Sequence, residues 1–228
     1  KACTVNELNQ YTAIANPGAV GLRGDATNTA VVTVNGQPVQ SDDITSDTIP
    51  WHFALAADNG SGPDFPFAEI VAVVNPPGTN TPDIVSTSSG HLYAPPQNET
   101  LTYDLDGNLT SDGRRQYTWN GENRLIAVTT RDDLPVSVPH VRVEYAYDHQ
   151  SRRIARREYV WSGSQWQPET ARAFTYDGWN LIAETIQNQQ STITNLYVWG
   201  LDLSGSLQGA GGIGGLLAVT RNDQTYYA

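Results

Sequence analysis

Residues 103–128 read Tyr-Asp-Leu-Asp-Gly-Asn-Leu-Thr-Ser-Asp-Gly-Arg-Arg-Gln-Tyr-Thr-Trp-Asn-Gly-Glu-Asn-Arg-Leu-Ile-Ala-Val. Two aromatic residues two apart, a polar turn and a returning Leu form a unit that recurs downstream. Ring pairs stand at Tyr117/Trp119, Tyr145/Tyr147, Phe174/Tyr176 and Tyr197/Trp199, with Leu101/Tyr103 as a weaker first copy. In a strand, residues two apart share a face, so each pair lays two rings on one side of a sheet. Apolar residues return at Leu109, Leu125, Ile154, Leu181 and Leu207. The units are 16, 28, 29 and 23 residues apart. Hairpin loops tolerate such irregularity and a helical solenoid does not. The expected fold class is all-β, an antiparallel ladder of hairpins whose neighbours stack edge to edge.

Composition agrees. Twenty Gly and thirteen Pro favour turns and short strands, while eleven Tyr and six Trp supply apolar surface that a disordered chain lacks. The net charge of −11 argues against nucleic acid and anionic membranes as partners. Residues 1–100 carry −8 of it and residues 101–228 carry −3. Lys1 is the single lysine; every other cation is Arg, suited to stacking on rings and forked pairing with carboxylates. Cys3 is the single cysteine and excludes an internal disulfide. No apolar run is long enough for a membrane helix. With no Met in the chain, we expect a piece of a longer polypeptide.

Residues 1–16 read as a partial repeat. Asn6-Glu-Leu-Asn-Gln-Tyr11 echoes Asn120-Gly-Glu-Asn-Arg-Leu125, with a one-turn helix as the alternative. Residues 17–100 read as an inserted all-β module. Its expected strands are Ala30–Val34, a return strand from Val39, Trp51–Ala56, Glu69–Val74 and His91–Ala94. Asn35-Gly36 is a hairpin signal, and Asp42, Asp43 and Asp47 fall in a polar loop. Repeats then occupy 101–196.

The run Tyr103-Asp104-x-x-Gly107-Asn108-Leu109, with Tyr117-x-Trp119-Asn120-x-x-Asn123-Arg124-Leu125, resembles the YD repeat of the Rhs (rearrangement hotspot) family. Tyr145-Ala-Tyr147-Asp148 and Phe174-Thr-Tyr176-Asp177 look like further copies. Residues 197–228, opening on Tyr197-Val-Trp199-Gly200, are similar to the start of the Rhs-associated core. The resemblance implies a β-shell that encapsulates or displays a C-terminal toxin, secreted or at the cell surface. It implies as partners the remaining repeats, further copies of the chain, or an enclosed toxin. Cleavage in such proteins uses aspartates near an Asp-Pro segment; this sequence has no Asp-Pro pair, so autoproteolysis is not assigned to it.

Sharper chemistry was weighed against plain structure. Gly209-Ala-Gly-Gly-Ile-Gly214 fits the dinucleotide pattern, yet no buried strand precedes it and no helix follows; close backbone approach explains it better. Asp104, Asp106, Asn108 and Asp112 suggest a calcium loop, but the Gly comes too early and no Glu closes the site. Turn chemistry is the stronger reading. Arg152, Arg153, Arg156 and Arg157 form the basic run; strict alternation puts Arg153 and Arg157 on one face and Arg152 and Arg156 on the other. Cross-strand pairing with carboxylates is expected there. No metal site, cofactor or catalytic residue is expected, and the chain reads as a non-enzyme. Trp161, Trp166 and Trp179 sit at loop positions. They are candidate carbohydrate contacts for an adhesion module, with capping of the ladder edge as the alternative.

Overall fold

The computed structural model describes residues 2–41, 47–78, 81–135 and 138–227; Asp42 and Asp43 lie outside them. Every regular element among them is a strand, all pairings are antiparallel, and no barrel closes. The chain divides into two compact units.

The first unit comprises residues 1–102 with 112–114 and 133–138. Its strands are β1 (Cys3–Val5), β2 (Tyr11–Ala15), β3 (Ala19–Thr27), β4 (Ala30–Val34), β5 (Gln37–Pro38), β6 (Gln40–Ser41), β7 (Thr48–Ala56), β8 (Phe67–Val74), β9 (Ile84–His91) and β10 (Asn98–Thr100). They form sheets of order β1-β2-β10, β3-β7-β6 and β5-β4-β8-β9. The latter two share one core of Val32, Val34, Trp51, Leu55 and Ala68, with Leu22, Phe53 and Ile70 packed against it.

Asn35 and Gly36 both take positive φ, 49° and 75°, as a two-residue hairpin turn requires. The return strand starts at Gln37, not Val39, because so tight a turn re-enters the ladder at once. The expected strand His91–Ala94 is replaced by Ile84–His91, which ends where that one was to begin. Its Ser/Thr-rich residues are all exposed, since it is the edge of its sheet. Strand Ala19–Thr27 was also hidden, by Gly21 and Gly24. A Cβ on Gly24 would stand 2.6 Å from the Trp51 ring, so the glycine makes room for the largest core side chain. Residues 3–15 form a hairpin, not a helical turn.

The second unit is a meander of eleven strands in sequence order: β11 (Thr102–Tyr103), β12 (Leu109–Ser111), β13 (Arg115–Trp119), β14 (Leu125–Thr130), β15 (Val141–Tyr147), β16 (Arg153–Trp161), β17 (Trp166–Asp177), β18 (Asn180–Asn188), β19 (Thr192–Trp199), β20 (Leu216–Arg221) and β21 (Gln224–Tyr227). The register puts the ring pairs on one face. Tyr117 faces Val128, which faces Val143; Tyr145 faces Arg156, which faces Arg172; Phe174 faces Glu184, which faces Asn195.

One irregularity recurs at the second ring of each pair. The register shifts between Thr118 and Trp119, Ala146 and Tyr147, Thr175 and Tyr176, and Val198 and Trp199. Each shift is a bulge with one extra residue on the partner strand. It corrects two expected returns. Tyr147 pairs with Arg153, leaving Ile154 as the extra residue, and Trp199 pairs with Leu216, because residues 200–215 are a glycine-rich loop that keeps Leu207 out of the sheet. It also corrects the basic run. The bulge breaks strict alternation, so Arg153 lies over the Tyr145 ring at 4.3 Å, on the same face as Arg156.

Candidate functional site

The repeat's own chemistry begins in its turns. At Asp104, Oδ1 accepts the amides of Asp106 and Asn108, while Gly107 N–H donates to the Asp104 carbonyl. Asn120 holds the amides of Glu122 and Arg124 in the same way, and Asp148 holds those of Gln150 and Arg152. The fourth residue takes positive φ each time: Gly107 at 88°, Asn123 at 56°, Ser151 at 63°. The turn at Asn6 repeats the pattern, with Asn9 at 62°. Of the residues that suggested a calcium loop, Asp104 has both carboxylate oxygens engaged by the turn itself, and Asp112 Oδ1 accepts the Arg114 amide. Hydrogen bonds from the Asn108 side chain and from nearby amides outweigh burial and hold the Asp104 carboxyl below its usual range. At Asp148, burial pushes the carboxyl up, but hydrogen bonds from Arg152 outweigh it and the pKa falls.

Each turn is tied to the next. Asn108 Nδ2 donates to Asn123 Oδ1 at 2.9 Å, Arg124 Nη1 to the Asp148 carbonyl at 3.1 Å, and Arg152 Nη1 to the Gly178 carbonyl. Asp177 and Asn180 close a two-residue turn.

The second rings are tied as well. Trp119 Nε1 donates to the Leu109 carbonyl at 2.8 Å, Tyr147 Oη to Leu125 at 2.8 Å, Tyr176 Oη to Arg153 at 3.0 Å and Trp199 Nε1 to Leu181 at 2.7 Å. Each donor reaches the strand that leaves the preceding turn. Arg124 and Arg152 lie over the Tyr147 and Tyr176 rings at 5.4 and 5.2 Å. Carbonyls and guanidiniums thus hold these second rings in place. Tyr103, the Leu125 side chain and Tyr197 remain half-buried on the ladder.

Two polar nodes stand out. Glu184 accepts from Arg172 Nη1 at 2.8 Å, Asn195 Nδ2 at 3.0 Å and Tyr197 Oη at 3.2 Å. Burial raises its pKa, yet the Arg172 and Asn195 bonds outweigh that and lower it overall. In the loop 200–215, the buried Asp202 accepts from Ser204 Oγ and the amides of Ser204, Ala210 and Gly212. Those bonds, the Ser204 hydroxyl foremost, draw its pKa down to about 2. The glycine-rich loop that matched the dinucleotide pattern is a cradle already filled by the chain's own carboxylate.

The three tryptophans separate. Trp161 and Trp166 face each other across β16–β17, ring centroids 5.4 Å apart and edge to face, with Trp161 42% exposed. Trp179 lies in the Asp177–Asn180 turn and is 62% exposed. The strand face opposite the ring pairs holds residues that the sequence reading missed: Arg157, Tyr159, Pro168 and Gln187. A bulge at Glu158/Tyr159 brings them together, and no local pattern signals such a bulge.

No protein-family model matches the chain. Over 132 residues, 57% of its length, it is 30% identical to the tRNA3(Ser)-specific nuclease WapA of Bacillus spizizenii. It is 41% identical over 59 residues to the tRNA nuclease WapA of Bacillus subtilis, and 32% identical over 113 residues to the double-stranded DNA deaminase toxin A of Burkholderia cenocepacia. The chain spans 4%, 2% and 7% of those proteins' lengths. These matches correct the expectation of a non-enzyme, because each relative is named for an enzymatic activity. The chain is thus an all-β segment similar to short parts of bacterial tRNA nucleases and of a DNA deaminase toxin.

Proposed function

We propose that the chain is a wall segment of a toxin protein of the Rhs/YD type, a hairpin shell that encloses or displays the toxic part of the same polypeptide outside the producing cell. The observation that carries this reading is the repeated turn and clasp. Each rung offers the next one the same carbonyl, turn edge and ring face, so the sheet extends by adding rungs. Similarity to a nuclease and a deaminase supports it, since one kind of wall then accompanies different chemistries. The half-buried ring face supports it too, because rings so placed gain further burial from contents behind the wall. Limited proteolysis of the parent protein tests it. The toxic part should resist cleavage in the intact protein and lose that protection when β15–β18 are deleted. Equal cleavage with and without those strands refutes it.

A further inference from the structure

We infer that the sheet face opposite the ring pairs carries a saccharide-binding groove at the β16–β17 hairpin. A cavity of about 290 Å3 opens there, lined by Arg157, Tyr159, Pro168, Glu169, Ala171 and Gln187. That volume lies at the lower end for ligand pockets. The bulge makes it: Glu158 pairs with Thr170 but Tyr159 with Pro168, so Glu169 is the extra residue and the two strands part.

The lining combines two chemistries. Tyr159 is a half-buried ring whose hydroxyl donates to Glu144 Oε2 at 3.1 Å, which fixes the ring in place. Burial, and then that bond to Glu144, keep the hydroxyl neutral by raising its pKa. Trp161 and Trp166 occupy the next same-face positions, about 7 Å further along the strands. Outside the cavity lining, this edge-to-face pair stands next in register to Tyr159 and Pro168, at the end of the groove. Around it stand planar hydrogen-bonding groups. Gln187 and Glu169 are exposed, and the Gln189 amide donates to the Pro168 carbonyl at 3.1 Å, leaving its oxygen as an acceptor. Arg142, Arg156 and Arg172 each pair with a carboxylate, whereas Arg157 makes no ion pair among the described residues. Pyranose rings present C–H faces that stack on aromatics and hydroxyl pairs that bind amides, carboxylates and guanidiniums in a fork. A proline-rich peptide uses the rings but leaves the planar polar rim without partners. Trp179, in the turn Asp177–Asn180 at the opposite strand ends, takes no part.

A glycan array followed by tryptophan-fluorescence titration with maltohexaose, cellohexaose and chitohexaose tests the inference, with a proline decamer as comparator. Binding of at least one saccharide, weakened tenfold or more by Trp161→Ala and by Arg157→Ala and unchanged by Trp179→Ala, is expected. Thermal melts confirm that the variants fold, and Trp161→Phe, which keeps a stacking ring, should retain most of the affinity. Absence of saccharide binding to about 10 mM, binding of the proline decamer alone, or loss on Trp179→Ala in place of Trp161→Ala overturns it.

Discussion

The hydrogen bond from each second ring to the preceding rung can be removed without removing the ring. Tyr147→Phe deletes the hydroxyl that donates to the Leu125 carbonyl at 2.8 Å. The benzene ring stays, and so does its contact with Arg124 at 5.4 Å. The variant therefore isolates one neutral hydrogen bond at a half-buried site, worth about 0.5–1.5 kcal/mol. The Leu125 carbonyl left behind adds to the cost if water does not reach it. Trp199→Phe deletes the equivalent bond to Leu181, with some lost ring area besides. The two sites lie four strands apart, about 19 Å, so their effects should add. Urea unfolding should show each single variant destabilised by about 1 kcal/mol and the double by about 2 kcal/mol. The melting temperature should drop by about 2–4 °C per kcal/mol. If Tyr147→Phe leaves the urea midpoint unchanged, the clasp is an incidental contact and the account of ladder stability is wrong.

Four further outcomes follow from other parts of the molecule. Asp202 has a depressed pKa, so its contribution is complete above the ordinary carboxylate range and fades as pH falls toward about 2. Amide protection in residues 203–214, taken relative to the intrinsic exchange rate at each pH, should fall across that window and stay flat from neutral pH down to it; Asp202→Ala should give the lower protection at neutral pH. Gly24→Ala forces a Cβ to 2.6 Å from the Trp51 ring and should cost about 1–3 kcal/mol, read by thermal unfolding. Ser151→Gly relieves a left-handed residue at φ 63°, where a side chain costs roughly 1–2 kcal/mol, and should raise the melting temperature. Arg172→Met should raise the Glu184 pKa toward the ordinary value in a carboxyl-carbon NMR titration, since the Arg172 bond is the foremost influence lowering it.

Much of the ladder was legible in sequence because ring pairs two apart have one reading in a strand. The fold class, the strand Ala30–Val34 and the Asn35-Gly36 turn all rest on local chemistry. The misplaced partners have one physical origin. A bulge is a property of two strands together, and nothing in Arg153-Ile154 alone tells which of them faces Tyr147. Ala19–Thr27 and Ile84–His91 were missed because their glycines, serines and threonines score poorly for strands, although pairing partners hold them there. The saccharide groove was half legible: the two tryptophans at its end stood out, but Arg157 and Tyr159 on β16 and Gln187 on β18 meet only through register.

The two margins of the ladder differ in how much change they can absorb. Along one, the turns 104–108, 120–124 and 148–152 are bolted to the turn that follows by Asn108, Arg124 and Arg152, and the carboxylate or amide at each turn's head fixes a common length, before the shorter turn 178–179 and the long loop 200–215. Along the other lie the connections 112–114, 131–140, 162–165 and 189–191, which run from three to ten residues. The uneven repeat spacing arises from that side and from the strands themselves. Additions such as a loop or a recognition hairpin suit the loose margin, while the bolted stretch from Asn108 to Gly178 works as a hem that keeps its rungs in step.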